Sequence, residues 1–447
     1  MRIYDYVDEG LGHSSYLIDI GDGTVAIVDP PRFATAHEAL AKQLKSQIMW
    51  TFDTHSHADY VTGSPRLALQ VGATFVAPAT SHLETAHQPV TDGDSINLGN
   101  NLSMTAIATS GHTPDHHAYI LKQSGVPVAL FSGGSLMVGT VGRTDLCGPE
   151  LTESLAHEMF HSLRRFDDLP DSLNVYPTHG AGSFCSAPGS TERITTLRHE
   201  RVSNSLFALK DEATFVEQLI NGFGTFPSYF ARLPELNRLG PNHYEALPLL
   251  SQLNPTQVES HLKQGGVVID VRPSAAFADG HLAGSISIAL RPVLASWLGW
   301  IVKPDQPIVF IIDDDQDRAE LVRQCFDIGH ERLVGELTFG IKSWTNSGRP
   351  VEKIKFVEVP EMVGQIIDVR QTNEFHLGHV PTALNIELGS IAHAEIPNGA
   401  LTIMCGHGER AMTGASILAK HGHTDIAVLD GGPDTWFAST GIQLVTE

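Results

Sequence analysis

Along MRIYDYVDEGLGHSSYLIDI apolar and polar positions alternate in the manner of a half-buried strand. Short apolar runs with turns between them then recur as further strands: Ser14 to Ile20, Thr24 to Val28, Ile48 to Phe52, Thr74 to Ala77, Met104 to Ala108, Val128 to Phe131 and Leu173 to Tyr176. Helical spacing falls between them at Ala34 to Lys45 and Pro65 to Gln70, and this order predicts an α/β sandwich from Met1 to about Pro241. From Thr191 to Arg238 the pattern turns helical and mixed in charge, which reads as a clasp closing that domain. Its aromatic stretch, Phe226 to Phe230, is expected either on the rim of a pocket or in ordinary core.

The second half repeats itself. Asp270-Val271-Arg272, Phe277 and Gly280-His281 precede Asp368-Val369-Arg370, Phe375 and Gly378-His379 by one constant offset. Trp344 precedes Trp436 by a shorter one, so the first copy carries a short insertion in the stretch containing Ser296 to Trp300, a surface loop or a contact. The domains expected are residues 1–241, 254–353 and 357–447.

Chemistry concentrates in the last copy. The apolar run Leu401 to Met404 leads into Cys405-Gly406-His407-Gly408-Glu409-Arg410 and then a helical pattern from Ala411 to Lys420, giving strand, tight loop and helix. Two glycines let the loop curl so that backbone N–H groups converge on sulfur, while the helix N-terminus and Arg410 favour negative charge there. That setting predicts a thiolate nucleophile at Cys405, with Arg410 catalytic beside it and Gly406, His407, Gly408 and Glu409 binding substrate. Aligning Arg318 with Arg410 puts Asp313 in the cysteine's place, among Asp314, Asp315 and Asp317. A carboxylate cannot carry sulfane sulfur, and the acidic loop would repel an anionic donor, so the first copy is expected to be inert.

The loop and its framework resemble the rhodanese sulfurtransferases, which implies a persulfide on Cys405. A cysteine phosphatase needs a wider cradle, with one more residue than the four that separate Cys405 from Arg410.

In the first domain Thr54-His55-Ser56-His57-Ala58-Asp59-Tyr60 follows the third strand, and clustered imidazoles with a carboxylate at a strand end read as a metal site. With Gly111-His112-Thr113-Pro114 and His179-Gly180-Ala181-Gly182-Ser183 it is similar to the metallo-β-lactamase fold, and Gly142-Arg143-Thr144-Asp145 resembles the persulfide dioxygenase branch. The fold implied is an αββα sandwich followed by two rhodanese-like α/β domains with parallel sheets. The resemblance implies Fe(II) on His55, His112 and an aspartate, but the aspartate position is Gly134 and the motif's final histidine is Tyr60. Two readings follow. His55, His57 and His112 hold one ion through three imidazoles, Fe(II) in a weakened site or Zn(II) instead, or the domain is retained as a scaffold. His179, without an aspartate at 134, is expected to hydrogen-bond locally, and Asp59 to orient a histidine. By the same resemblance Arg143 binds substrate and Cys185 carries sulfur near the metal, although a small buried hydrophobe is the alternative for Cys185.

Composition narrows the partners. The chain has 447 residues, which suggests about two to four domains, and a net charge of −22 without a basic run, which argues against nucleic acid or an anionic membrane. Persulfide or thiosulfate donors and thiol acceptors fit better, and self-association, common in related lactamase-fold proteins, is expected. The four cysteines form no CxxC pair, so a reducing compartment is expected. No run reaches the ~20 apolar residues of a membrane span, and the N-terminus reads as strand instead of signal peptide. The expectation is a cytoplasmic sulfane-sulfur transferase acting through Cys405 and needing no cofactor for that step, joined to a dioxygenase-type domain. The alternative is a sulfur-binding or scaffold protein.

Overall fold

The computed structural model describes residues 1–185 and 192–446. Thr191 and Glu447, which bound two of the expected segments, lie outside the described residues. The chain forms two compact units, Met1–Leu247 with Cys325–Gly329, and Pro248–Gln324 with His330–Glu447.

The first unit holds two six-stranded sheets. One runs in chain order through Arg2–Asp8, His13–Asp19, Thr24–Val28, Gln47–Phe52, Thr74–Pro78 and Gln88–Val90. The other runs Thr195–Thr196, Asn174–Pro177, Val126–Gly133, His117–Gln123, Leu102–Ala108 and Ser95–Gly99. Strand alternation explains the layering. Tyr16 and Ile18 face a core shared with Met104, Tyr119, Leu121 and Phe131 of the other sheet. Leu17, Val25 and Ile27 face outward, where Ala41 of helix Thr35–Leu44 and Leu67 of helix Ser64–Val71 cover them. On the far side Leu130 and Ile120 pack against Met159 and Leu163 of helix Thr152–Arg164 and Phe215 of helix Glu212–Asn221. Helix, sheet, sheet and helix make the expected αββα sandwich, and complete burial of a side chain such as Phe131 contributes about 1.5–3 kcal/mol.

The strand His117–Gln123 was absent from the sequence pattern for a physical reason. Its Ala118 and Ile120 face one core while Tyr119 and Leu121 face the other, so burial on both sides erases the alternation.

The second unit contains two five-stranded parallel sheets with one topology. The first copy is ordered Gln252–Leu253, Leu333–Leu337, Ile308–Ile311, Val267–Asp270, Ile286–Ser287. The second is ordered Lys355–Val357, Ile426–Leu429, Leu401–Met404, Gln365–Asp368, Leu384–Asn385. Among the described residues no helix is long and apolar enough to cross a membrane.

Candidate functional site

Leu401–Met404 is the middle strand of its sheet, buried along its whole length, and it ends on buried Cys405. The chain turns through Gly408 at φ 87°, a left-handed conformation that favours glycine. That turn aims the Gly408 N–H at Cys405 Sγ, 3.1 Å away. Helix Glu409–Lys420 starts there with no side-chain cap, so the N–H groups of its positive end face the loop, with Glu409 in the first turn. Arg410, in the first turn, donates to both oxygens of Glu374 at 2.6 and 2.8 Å. Burial opposes its charge, yet Glu374 first and Cys405 next hold its pKa above the ordinary guanidinium value.

The first copy completes the neighbourhood. Trp297, on helix Leu294–Ile301, covers the Arg410 guanidinium at 5.7 Å, and Arg291 donates to Glu409 at 3.0 Å. Trp300 stacks on Trp297 and lies so close to Gly389 that a Cβ there would sit 1.8 Å from its indole nitrogen. The insertion is therefore a contact and not a free loop. Arg410 meets Glu374 and Trp297, Glu409 meets Arg291, His407 is exposed, and Gly406 is half-buried.

In the first unit, strand ends deliver a buried histidine cluster. His55 and His57 follow Gln47–Phe52, His112 lies between Leu102–Ala108 and His117–Gln123, and His179 follows Asn174–Pro177. Ring centroids separate His55 from His57 by 4.2 Å, from His112 by 4.9 Å and from His179 by 5.3 Å.

Hydrogen bonding fixes which nitrogens carry protons. Thr54 Oγ1 donates to Asp29 at 2.8 Å, so it accepts from His55 Nδ1–H at 2.8 Å and leaves His55 Nε2 a bare lone pair. His112 Nδ1–H donates to the Arg143 carbonyl at 2.8 Å, and its Nε2 is buried without a partner. His179 Nδ1 lies 3.1 Å from the Asp59 carboxylate, which turns its Nε2 toward His55 Nε2 at 3.3 Å. His57 Nε2 is held by Asp29 at 3.1 Å and by the Tyr60 hydroxyl at 3.0 Å, and its Nδ1 is unpartnered. Burial, followed by neighbouring imidazoles, keeps His55 well below its usual pKa and pushes His112 down to about 3. Burial also opposes a charge on His57, but Asp29 outweighs it and raises that pKa.

A model of the rhodanese-like domain matches residues 254–347 and 354–439. The crystal structure of a metallo-β-lactamase from Staphylococcus aureus subsp. aureus COL superposes with TM-score 0.66 at 28% identity, covering 76% of this chain and 99% of that one. The chain is a metallo-β-lactamase-fold domain followed by two rhodanese-like domains. The chain is 28% identical over 202 residues to the mitochondrial persulfide dioxygenase ETHE1 of Homo sapiens, 44% of this chain and 72% of that protein. It is also 33% identical over 165 residues to the hydroxyacylglutathione hydrolase of Aliivibrio salmonicida (strain LFI1238). That match takes in 37% of this chain and spans 60% of the hydrolase's length.

Within the metallo-β-lactamase-fold domain the structure gathers His55, His57 and His112 and adds His179. Ligand atoms of His55, His57 and His179 lie within 4.8 Å of one another, as do those of His112, His179 and Cys185, so His179 is the member common to both groups. Sequence reasoning set His179 aside, and the signal that places it is its spacing after a strand end beside Asp59. The donors fit an ion such as Zn(II) or Fe(II): the lone pairs are bare and buried, and two ligands of one tetrahedral ion bonded at 2.0–2.1 Å stand roughly 3.3 Å apart, the His55 to His179 separation.

Asp29 was missed entirely. Buried and at φ 50°, it accepts from the Thr54 backbone and hydroxyl, from His57 and from Thr178, and so clamps the ligand loops together. Asp115 accepts from Ser56 and Ser81, which makes it another clamp.

Arg143, expected to bind substrate, is engaged otherwise. It pairs with Asp145 at 2.6 and 2.8 Å, donates to the Phe184 and Gly224 carbonyls, and lies 4.6 Å over Phe226. Its backbone holds both His112 Nδ1 and the Cys185 carbonyl, which makes it a positioning residue for those two. The Phe226 to Phe230 stretch braces the same place, with Tyr229 donating to the Asp59 carbonyl at 3.0 Å. Gly134 is not an empty slot: a Cβ there would lie 2.3 Å from the His112 ring, so Gly134→Asp forces that imidazole to move.

Proposed function

We propose that the chain is a sulfane-sulfur transferase in which Cys405 carries the sulfur. The observation that carries this reading is the Gly408 N–H on Cys405 Sγ at the mouth of an uncapped helix, in a domain that matches the rhodanese-like model. The Cys405 thiolate attacks the outer sulfur of thiosulfate or of a persulfide, the donor S–S bond breaks, and sulfite or a thiolate leaves with the bonding pair. A thiolate or cyanide acceptor then attacks the terminal sulfur, and Cys405 leaves as thiolate. No external oxidant or reductant is needed. Gly408 N–H and the helix dipole hold negative charge on sulfur in both steps, while Glu374 and Trp297 keep Arg410 at the loop.

In the first domain His55, His57, His112 and His179 are the residues that would hold an ion, which would supply a Lewis acid. Tyr60 fills the space beside His57, stacking on it at 4.4 Å and on His13 at 3.8 Å, and Gly134 offers no carboxylate. These two residues favour a sulfur-binding or scaffold role for this domain over persulfide oxygenation, although ETHE1 is a relative. Steady-state turnover of thiosulfate with cyanide or a thiol tests the transferase reading. Saturable turnover supports it, and none with either acceptor leaves the scaffold reading for the whole chain.

A further inference from the structure

A divalent ion placed between the donor nitrogens of His112 and His179 would meet imidazoles alone. Buried charge of that kind is costly unless an anion accompanies it. Of the nearby carboxylates Asp29 is committed to Thr54, His57 and Thr178, and Asp59 stands behind His179, 3.1 Å from its far nitrogen, and joins neither group of ligand atoms. Cys185 remains. It is fully buried, its N–H donates to Ser183 Oγ at 3.1 Å, its carbonyl accepts from Arg143, and its Sγ lies within 4.8 Å of the donor atoms of His112 and His179. His112 Nε2, unpartnered and buried, is the independent sign that this point is built for a ligand.

We propose that the Cys185 thiolate supplies the anionic ligand of the first domain, forming with His112 and His179 a nitrogen and sulfur site for Zn(II) or another borderline divalent transition metal. The charge closes: two positive charges on the ion are met by the thiolate and by Asp59 behind His179. Binding exchanges the S–H bond of Cys185 for a sulfur–metal bond and releases the proton to solvent, with no change of oxidation state. Thiolate and imidazole together select zinc-like ions over Mg(II) and Ca(II), which prefer oxygen. The outer partners are in place on both histidines: the Arg143 carbonyl on His112 and Asp59 on His179.

The test loads the full chain with Zn(II) and records X-ray absorption at the zinc edge, then repeats the loading with Co(II) for optical spectra. The expected result is one tightly held ion per chain, a sulfur neighbour at about 2.3 Å beside nitrogens at about 2.0–2.1 Å, and a sulfur-to-cobalt charge-transfer band. Cys185→Ser should lose the sulfur neighbour and the band while Cys147, Cys325 and Cys405 remain, and should bind zinc at least about tenfold more weakly. A first shell of nitrogen and oxygen alone, a chain that retains no ion, or a serine variant that keeps the band overturns the proposal. If the variant does not fold, the absorption spectrum of the unaltered protein decides by itself.

Discussion

The two rhodanese-like domains share a frame and differ in a loop. In each copy an arginine donates to a buried aspartate at 2.7 Å, Arg272 to Asp270 and Arg370 to Asp368, and reaches one glycine carbonyl, of Gly280 or Gly378, at 2.9 and 2.8 Å. Each has a histidine stacked on a phenylalanine, His281 on Phe277 at 3.8 Å and His379 on Phe375 at 3.7 Å. The loops part ways over who satisfies the backbone. In the first copy Gln316 accepts from the Asp313 N–H, Asp317 accepts from the N–H groups of Ala319 and Glu320, and Arg318 donates to the Asp313 and Gln316 carbonyls. That loop is filled by its own side chains. In the second copy a glycine stands where Gln316 stands, no side chain caps the helix, and the glycine N–H goes to sulfur where the Gln316 N–H goes to the Asp313 carbonyl. The two loops therefore differ in their polar side chains as much as in the cysteine.

Substitutions can break or sharpen this contrast. The largest effect is expected from Cys405→Ser, which should reduce thiosulfate turnover to background with an unchanged circular dichroism spectrum, because an alkoxide cannot hold the sulfur. The shared frame should respond equally in both copies. Asp270→Ala and Asp368→Ala each strand a buried arginine and should each cost about 3–5 kcal/mol in denaturant unfolding, and a large difference between them would mean the frames are not equivalent. Glu374→Gln unpairs Arg410 beside the nucleophile and should lower kcat/KM by about an order of magnitude. Trp297→Ala tests whether the first copy serves the Cys405 loop of the second; loss of a cation–π contact of about 0.5–1 kcal/mol predicts a two- to fivefold fall in kcat/KM. Smallest of all, Asp313→Cys should leave turnover unchanged and acquire no sulfur at position 313 by mass spectrometry, because Gln316 and Asp317 still fill the loop.

Local chemistry was legible in the sequence and long-range pairing was not. Cys405, its two glycines and Arg410 lie in one turn, so their convergence follows from backbone sterics alone. The first strands of the lactamase-fold domain were legible from apolar runs, whereas His117–Gln123, buried on both faces, was not. His179 was expected to hydrogen-bond within the site and Asp59 to orient a histidine, and the two meet at 3.1 Å, whereas Asp29 escaped because its partners, Thr54, His57 and Thr178, lie far away in the chain. The contact of Trp297 with Arg410 likewise joins two copies that the sequence presents only as a repeat. Gly134 reads as a lost carboxylate in sequence, and only the packing of His112 against it shows that the space has been taken.

The central claim is that sulfur resides on Cys405 and not elsewhere. Incubating the protein with thiosulfate, removing excess donor and mapping added mass by peptide mass spectrometry tests it directly. One additional sulfur atom on the peptide carrying Cys405, discharged by cyanide as thiocyanate, is the result predicted. Sulfur found on Cys185, Cys147 or Cys325 while Cys405 stays unmodified would contradict the account.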